Sequence, residues 1–248
     1  MTRSRILVRT LGELLMTAGG LVLLFVVWQL WWTDVQAAAT ADRALEQLQA
    51  AFAEAETADP TDPATPTSPS SPGAPGDPSP TAPAAGGEQP AHEPGEGLAI
   101  VHLPTIDQTV AVHEGVELDV LNLGVLGHYP GTALPGEVGN FAVAGHRTTY
   151  GRPLWDLGEL RQGDPVVVET AAGWSVYHLQ RHRVVSPRQT EVLAPVPDRP
   201  GQEPTEAWMV LTACHPKFSA QERLVGYALL DRTVPRSEGP PRELQEDR

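Results

Sequence analysis

Cysteine is nearly absent. One residue, Cys214, in 248 excludes an intramolecular disulfide framework and any cysteine-rich zinc module. Basic charge is also scarce, with 17 Lys and Arg against 31 Asp and Glu. From residue 98 onward the ratio is still 13 to 19. A domain built around nucleic acid carries a basic footprint, and with none visible no nucleic-acid partner is expected. No HExxH and no paired-cysteine motif occurs, so neither a metal nor any other cofactor is expected. Repeated long helical patterns are missing as well, which argues against a dinucleotide-binding α/β fold. The irregular spacing of Gly124, Gly127 and Gly131 gives no phosphate loop.

The longest apolar run is Leu14 to Trp32, LLMTAGGLVLLFVVWQLWW, with no formal charge. As a helix it spans about 28 Å, close to a hydrocarbon core of roughly 30 Å. Trp28, Trp31 and Trp32 gather at one end, where indole rings favour the interface. Arg3, Arg5 and Arg9 precede the run. The positive-inside rule therefore puts residues 1–13 in the cytoplasm, 14–32 across the lipid bilayer, and the remainder outside the plasma membrane. A cleaved signal peptide is the competing reading, with AAAT after Gln36 as its cleavage region. The run exceeds the roughly 7–15 residues of a signal core, which favours an uncleaved anchor. Either way the later domain is extracytoplasmic.

Residues 33–58 are Ala/Glu/Gln-rich, with Leu45, Leu48 and Phe52 forming a narrow helical stripe. This is read as a solvated juxtamembrane stalk; a weak dimer contact and a helix resting on the membrane surface are the alternatives. Residues 59–97 form a Pro/Ser/Thr-rich spacer expected to be disordered. Eleven of the 25 prolines fall between Pro60 and Pro94, and Thr57 to Gly97 has no Lys or Arg. Extended, such a spacer reaches up to roughly 120 Å, which suits work at a distance from the bilayer. A proline-rich peptide ligand is the alternative, without its usual basic flank.

The folded domain is expected over 98–234, followed by a polar tail at 235–248. LAIVHLPTIDQTVAVHEG opens it with two short apolar runs. NFAVAG (140–145), PVVVET (165–170), WSVYHLQRHRVV (174–185), AWMVLTAC (207–214) and RLVGYALL (223–230) follow. Short Val- and Tyr-rich runs punctuated by Gly and Pro predict an all-β barrel or sandwich. Helical pattern is confined to Leu118–Leu126 and a turn near Leu154–Leu160.

Three strand ends carry reactive side chains. His146 follows NFAVAG, Cys214 ends AWMVLTAC, and Arg223 opens RLVGYALL nine residues later. A thiolate is a strong nucleophile. A histidine moves protons to and from reacting groups, and an arginine holds a carbonyl or an oxyanion. Together the three suit covalent acyl transfer. Taken singly, each has a plainer reading as a buried thiol, a surface imidazole or an edge-strand guanidinium. His215 is a second partner for Cys214, although neighbouring strand residues point to opposite faces.

NFAVAGHRTTYG followed by LTACHPKFSAQERLVGYALL resembles the sortase family, most closely its class E branch of actinobacteria. The resemblance covers roughly 98–234. It implies an eight-stranded β-barrel with short helices in its loops, preceded by one transmembrane helix. It also implies a cysteine transpeptidase that anchors surface proteins to the cell wall. The family's nucleophile, histidine and arginine fall on Cys214, His146 and Arg223. Asn140 is read as a support for the His146 loop, and Thr212 and His215 as supporting residues. By analogy with class E the substrate is a surface protein with an LAxTG-like sorting signal, cut between Thr and Gly. A peptidoglycan-precursor amine then accepts the acyl group. The family pattern places Thr immediately before the cysteine and again four residues before it; here those positions are Ala213 and Val210. Three alternatives stand beside this reading. They are a pilin-polymerising relative, a non-catalytic wall-binding domain, and an L,D-transpeptidase, whose SHGC string is absent.

Overall fold

The computed structural model describes residues 2–57 and 92–245. Most of the expected spacer, 59–97, lies outside the described residues. The domain is a closed barrel of eight strands among the described residues, in the order β1-β2-β3-β4-β7-β8-β6-β5. The strands are β1 (Gly97–Leu103), β2 (Gln108–Glu114), β3 (Leu126–His128), β4 (Gly139–Ala144), β5 (Pro165–Thr170), β6 (Gly173–Val185), β7 (Ala207–His215) and β8 (Glu222–Pro235). The pairs β2–β3 and β4–β7 are parallel and the others antiparallel. A short helix, α2 (Leu118–Leu121), precedes β3, and a 3₁₀ turn at Thr190–Leu193 interrupts the β6–β7 connection.

The barrel follows from period-two alternation, which sends every second side chain inward. Val101 and Leu103, Val110 and Val112, Phe141 and Val143, Val166 and Val168, and Leu211 and Ala213 all enter one buried cluster. Tyr177 joins it fully buried, and its hydroxyl accepts the Gly136 N–H at 2.7 Å. Burial, the main cause, pushes the Tyr177 phenol up to about 12. Replacing Phe141 by Ala should cost about 3–5 kcal/mol, seen as a lowered thermal midpoint.

Strand β3 falls where the sequence pattern suggested the end of a helix. Three residues are too few to show a period, and its pairing partners set it instead. Val112 pairs with Leu126 on one side, and Gly127 with Ala144 on the other. A buried pair pins it, with His128 Nδ1 2.6 Å from Glu114 Oε2. The polar tail makes contacts of its own. Leu244 packs beside the Trp174 cluster, and Arg236 bonds Glu169 at 2.9 Å, so its described part lies against the barrel.

Helix α1 runs unbroken from Thr2 to Thr57. It is the one helix among the described residues long and apolar enough to cross a membrane. Between Leu14 and Trp28 its large apolar side chains are exposed. Its second half contradicts the solvated-stalk reading. Ala44, Leu48 and Phe52 are buried against Ile100, Ala111, Val120 and Val125, with Leu45 partly covered. The stripe was legible but its partner was not. Ile100 and Ala111 lie on the outer faces of β1 and β2, where apolar residues need a cover.

Burial also makes the fold acid-sensitive. It lowers the pKa of His113, His146 and His182 below the ordinary 6.5. The unfolded chain therefore binds protons first as pH falls. Stability from these groups is complete above pH 6.5 and declines as pH drops through the lower folded-state values. Thermal midpoints measured from about pH 7.5 downward should fall below that point.

Candidate active site

Strand register brings the three reactive residues to one end of the barrel. On β4 and β7, Ala144 pairs with Thr212, and the Gly145 N–H donates to the Thr212 carbonyl at 3.0 Å. His146 and Cys214 each lie two residues beyond that level. Across the β7–β8 ladder Cys214 is the direct partner of Arg223. Residues directly opposite in an antiparallel pair present their side chains on the same face. Cys214 shares the outer face of β7 with Thr212, while Ala213 points into the core.

That outer face floors a groove of about 190 Å³, whose lining includes Tyr129, Val185, Val192, Thr212, Arg223 and Val225. The segment 186–194 forms its wall. Asn140 holds that wall, its Nδ2 donating to the Val192 and Ala194 carbonyls at 3.1 and 3.0 Å. Asn140 thus ties the β6–β7 connection rather than the His146 loop, because outward side chains of β4 meet this connection. Thr212 is buried; its hydroxyl donates to the Val143 carbonyl at 3.2 Å and meets the Tyr129 hydroxyl at 3.2 Å.

His146 is half-buried, and burial lowers its pKa, so the neutral imidazole is favoured near pH 7. Its Nε2 lies 3.0 Å from Asn122 Oδ1. An amide oxygen accepts only, so the proton sits on Nε2 and the Nδ1 lone pair is left for chemistry. Tyr150 stacks on the ring at 5.0 Å between centroids.

Two arginines stand near the nucleophile. The Arg223 Nη1 donates to the Ala220 and Glu222 carbonyls, both at 3.0 Å, so the guanidinium braces the turn before β8. Arg147 is buried; its Nη1 donates to His215 Nδ1 at 2.8 Å and to the Cys214 carbonyl at 3.4 Å. Burial lowers the Arg147 pKa, while Asp156, Glu159 and Cys214 act in the opposite sense. The group stays a cation, since arginine does not deprotonate in proteins. His215 is thereby held by Arg147, which also reaches the Cys214 backbone.

Sequence reasoning singled out Cys214, His146, Arg223, Thr212, His215 and Asn140. Thr212 and Arg223 line the groove, and Cys214 pairs with Arg223 beside it. Asn140 ties the groove's wall, His215 is bonded by Arg147, and His146 follows the end of β4 at the same end of the barrel. Sequence reasoning missed Asn122, Tyr129 and Arg147. Asn122 was readable only as a polar residue within the apolar LDVLNLGVL, and Arg147 only as the neighbour of His146. A thiol, an imidazole with a free lone pair and a guanidinium at converging strand ends suit nucleophilic acyl transfer.

A family model described as the sortase domain matches residues 101–231. Sortase SrtE1 of Streptomyces coelicolor is 36% identical over 240 residues; the match takes in 94% of this chain but only 60% of SrtE1. Sortase SrtE2 of the same organism is 31% identical over 250 residues, covering 96% of this chain and 88% of SrtE2. Among solved structures, the crystal structure of sortase E1 from S. coelicolor with a tripeptide in the active site gives a TM-score of 0.57 at 38% identity, covering 62% of this chain and 99% of that one. The SrtA sortase from Actinomyces oris gives 0.57 at 36%, covering 62% and 92%. With an eight-stranded closed barrel and these matches, the chain belongs to the sortase family and is class E-like.

Proposed function

We propose that the chain is a membrane-anchored cysteine transpeptidase that cleaves an LAxTG-like sorting signal between Thr and Gly. It joins the acyl part to a cell-wall amine through a thioester on Cys214. The observation that supports this reading is the strand register, which makes Cys214 the direct partner of Arg223 and ends β4 beside Thr212, two residues before His146. A non-catalytic wall-binding domain has no need for that convergence.

In the proposed reaction, His146 Nδ1 takes the Cys214 proton, and the thiolate adds to the Thr carbonyl carbon. Arg223 turns from the 220–222 carbonyls to hold the developing oxyanion. The Thr–Gly bond breaks as His146 returns its proton to the departing glycine amine. The neutral imidazole then accepts a proton from the incoming amine. That amine attacks the thioester, and the C–S bond breaks to regenerate the thiolate. No electrons are exchanged with an external acceptor. The anchor proposed for this activity is residues 14–32, whose apolar side chains between Leu14 and Trp28 are exposed as a bilayer requires, with the barrel outside the plasma membrane.

Full-length chain in detergent micelles, offered LAxTG, LPxTG and scrambled peptides with and without an amine, tests the specificity. Cleavage of LAxTG peptides above the others, with amine-dependent product, is the expected result. Equal cleavage of scrambled peptide refutes it. Arg223→Ala should lower kcat/KM by about 100-fold with little change in thermal midpoint. An equal loss of stability would mark a purely structural arginine.

A further inference from the structure

The second half of α1 touches the elements that hold His146. The Ala37 carbonyl oxygen lies 3.0 Å, and the Tyr150 carbonyl oxygen 3.1 Å, from where a Cβ would stand on Gly124. Gly124 has φ of +83°, so only glycine gives both the turn and the close approach. Two residues earlier in that turn is Asn122, the partner of His146 Nε2. Ala38 N lies 3.7 Å from the Cβ position of Gly151, and Asp34 Oδ2 stands 4.0 Å from Arg152 Nε. Tyr150, next to Gly151, carries the ring stacked on His146. At the other end, Leu48 packs over Gly97 and the Arg236 guanidinium sits 5.5 Å from the Phe52 ring centroid.

We propose that the Ala37–Phe52 half of α1 is a positioning element of the active site, docked on the barrel so that the Asn122–Gly124 turn and the Tyr150–Arg152 loop hold the His146 ring in place. The proposal rests on the reading of His146 as the acid and base of the reaction. Helix and barrel then form one body, and residues 58–91 join two points of it. Asp34 is two residues past Trp32, whereas Phe52 lies about 27 Å further along the helix. The end of the barrel bearing His146 is the end nearest the apolar segment.

The test uses the full-length chain in micelles and substitutions far from His146: Leu48→Asp, the milder Ala44→Gln, and the conservative Leu48→Met. Hydrogen exchange over 38–52, 122–124 and 149–152 reports docking. Alkylation of Cys214 counts active sites, and kcat and KM for the peptide are taken per titrated site. In Leu48→Asp, exchange is expected to rise in all three segments. There kcat should fall at least about 10-fold while KM stays within about 2-fold. Ala44→Gln should show the same changes in smaller measure, which carries the test if Leu48→Asp does not fold. Leu48→Met should behave as the parent. Released helix amides with unchanged kcat would overturn the proposal, as would unprotected 38–52 amides in the parent chain. If the parent turns over no peptide, the reaction proposed above fails. The positioning claim is then judged on exchange at 122–124 and 149–152 alone, and unchanged protection there overturns it.

Discussion

Changing Cys214 to Ala should bring peptide cleavage to about 10⁻⁴ of the parent rate or below, with the fold intact. The chemistry demands so large an effect because the chain has no second thiol. Thr212, the hydroxyl nearest in sequence, is buried and committed to the Val143 carbonyl. The fold should tolerate the change, since the cysteine is half-buried at the end of β7 and makes no disulfide. Truncation at such a site usually costs about 1 kcal/mol or less. Steady-state cleavage, with a thermal melt as control, checks both halves. A Cys214→Ala chain that still cleaves would remove the thioester from the mechanism.

His146→Gln should lower kcat/KM by about 100- to 10,000-fold, the range a general acid–base group supplies. Glutamine can keep a hydrogen bond to Asn122, so the loss would report proton transfer rather than loop collapse. The pH dependence supplies a second readout. Burial lowers the His146 pKa, so the parent enzyme should hold its activity down to pH 6.5 and lose it below, as the imidazole protonates. Among the described residues the hydrogen-bond partner of that ring is Asn122 and its stacking partner is Tyr150. In His146→Gln the acid limb should disappear from the residual rate. A limb kept at the same pH would assign the titration to another group.

Much of this was legible in the sequence, for identifiable reasons. Seven strands announced themselves through alternating or continuous apolar runs, because inward and outward faces demand different side chains. The eighth, Leu126–His128, was invisible because its neighbours create it. That Cys214, His146 and Arg223 would come to one end of the barrel was legible because each lies at or just past a strand end, and strand ends meet at barrel rims. Asn122 and Arg147 were not, because their contacts bridge 24 and 68 positions with no local pattern. Asn140 was found as important but given the wrong partner, since sequence does not say which loop folds over an outward-facing strand residue. The helical stripe of Leu45, Leu48 and Phe52 taught the same lesson. Amphipathicity predicts that a face will be covered, and only the tertiary fold says by what.

The catalytic proposal stands or falls on one covalent bond. Intact-protein mass spectrometry of the full-length chain, mixed with an LAxTG peptide in the absence of amine, looks for it directly. The predicted result is a mass gain equal to the peptide through its Thr, mapped to Cys214 and discharged by an added amine. Turnover of the peptide with no such adduct, or the same adduct on the Cys214→Ala chain, would contradict it.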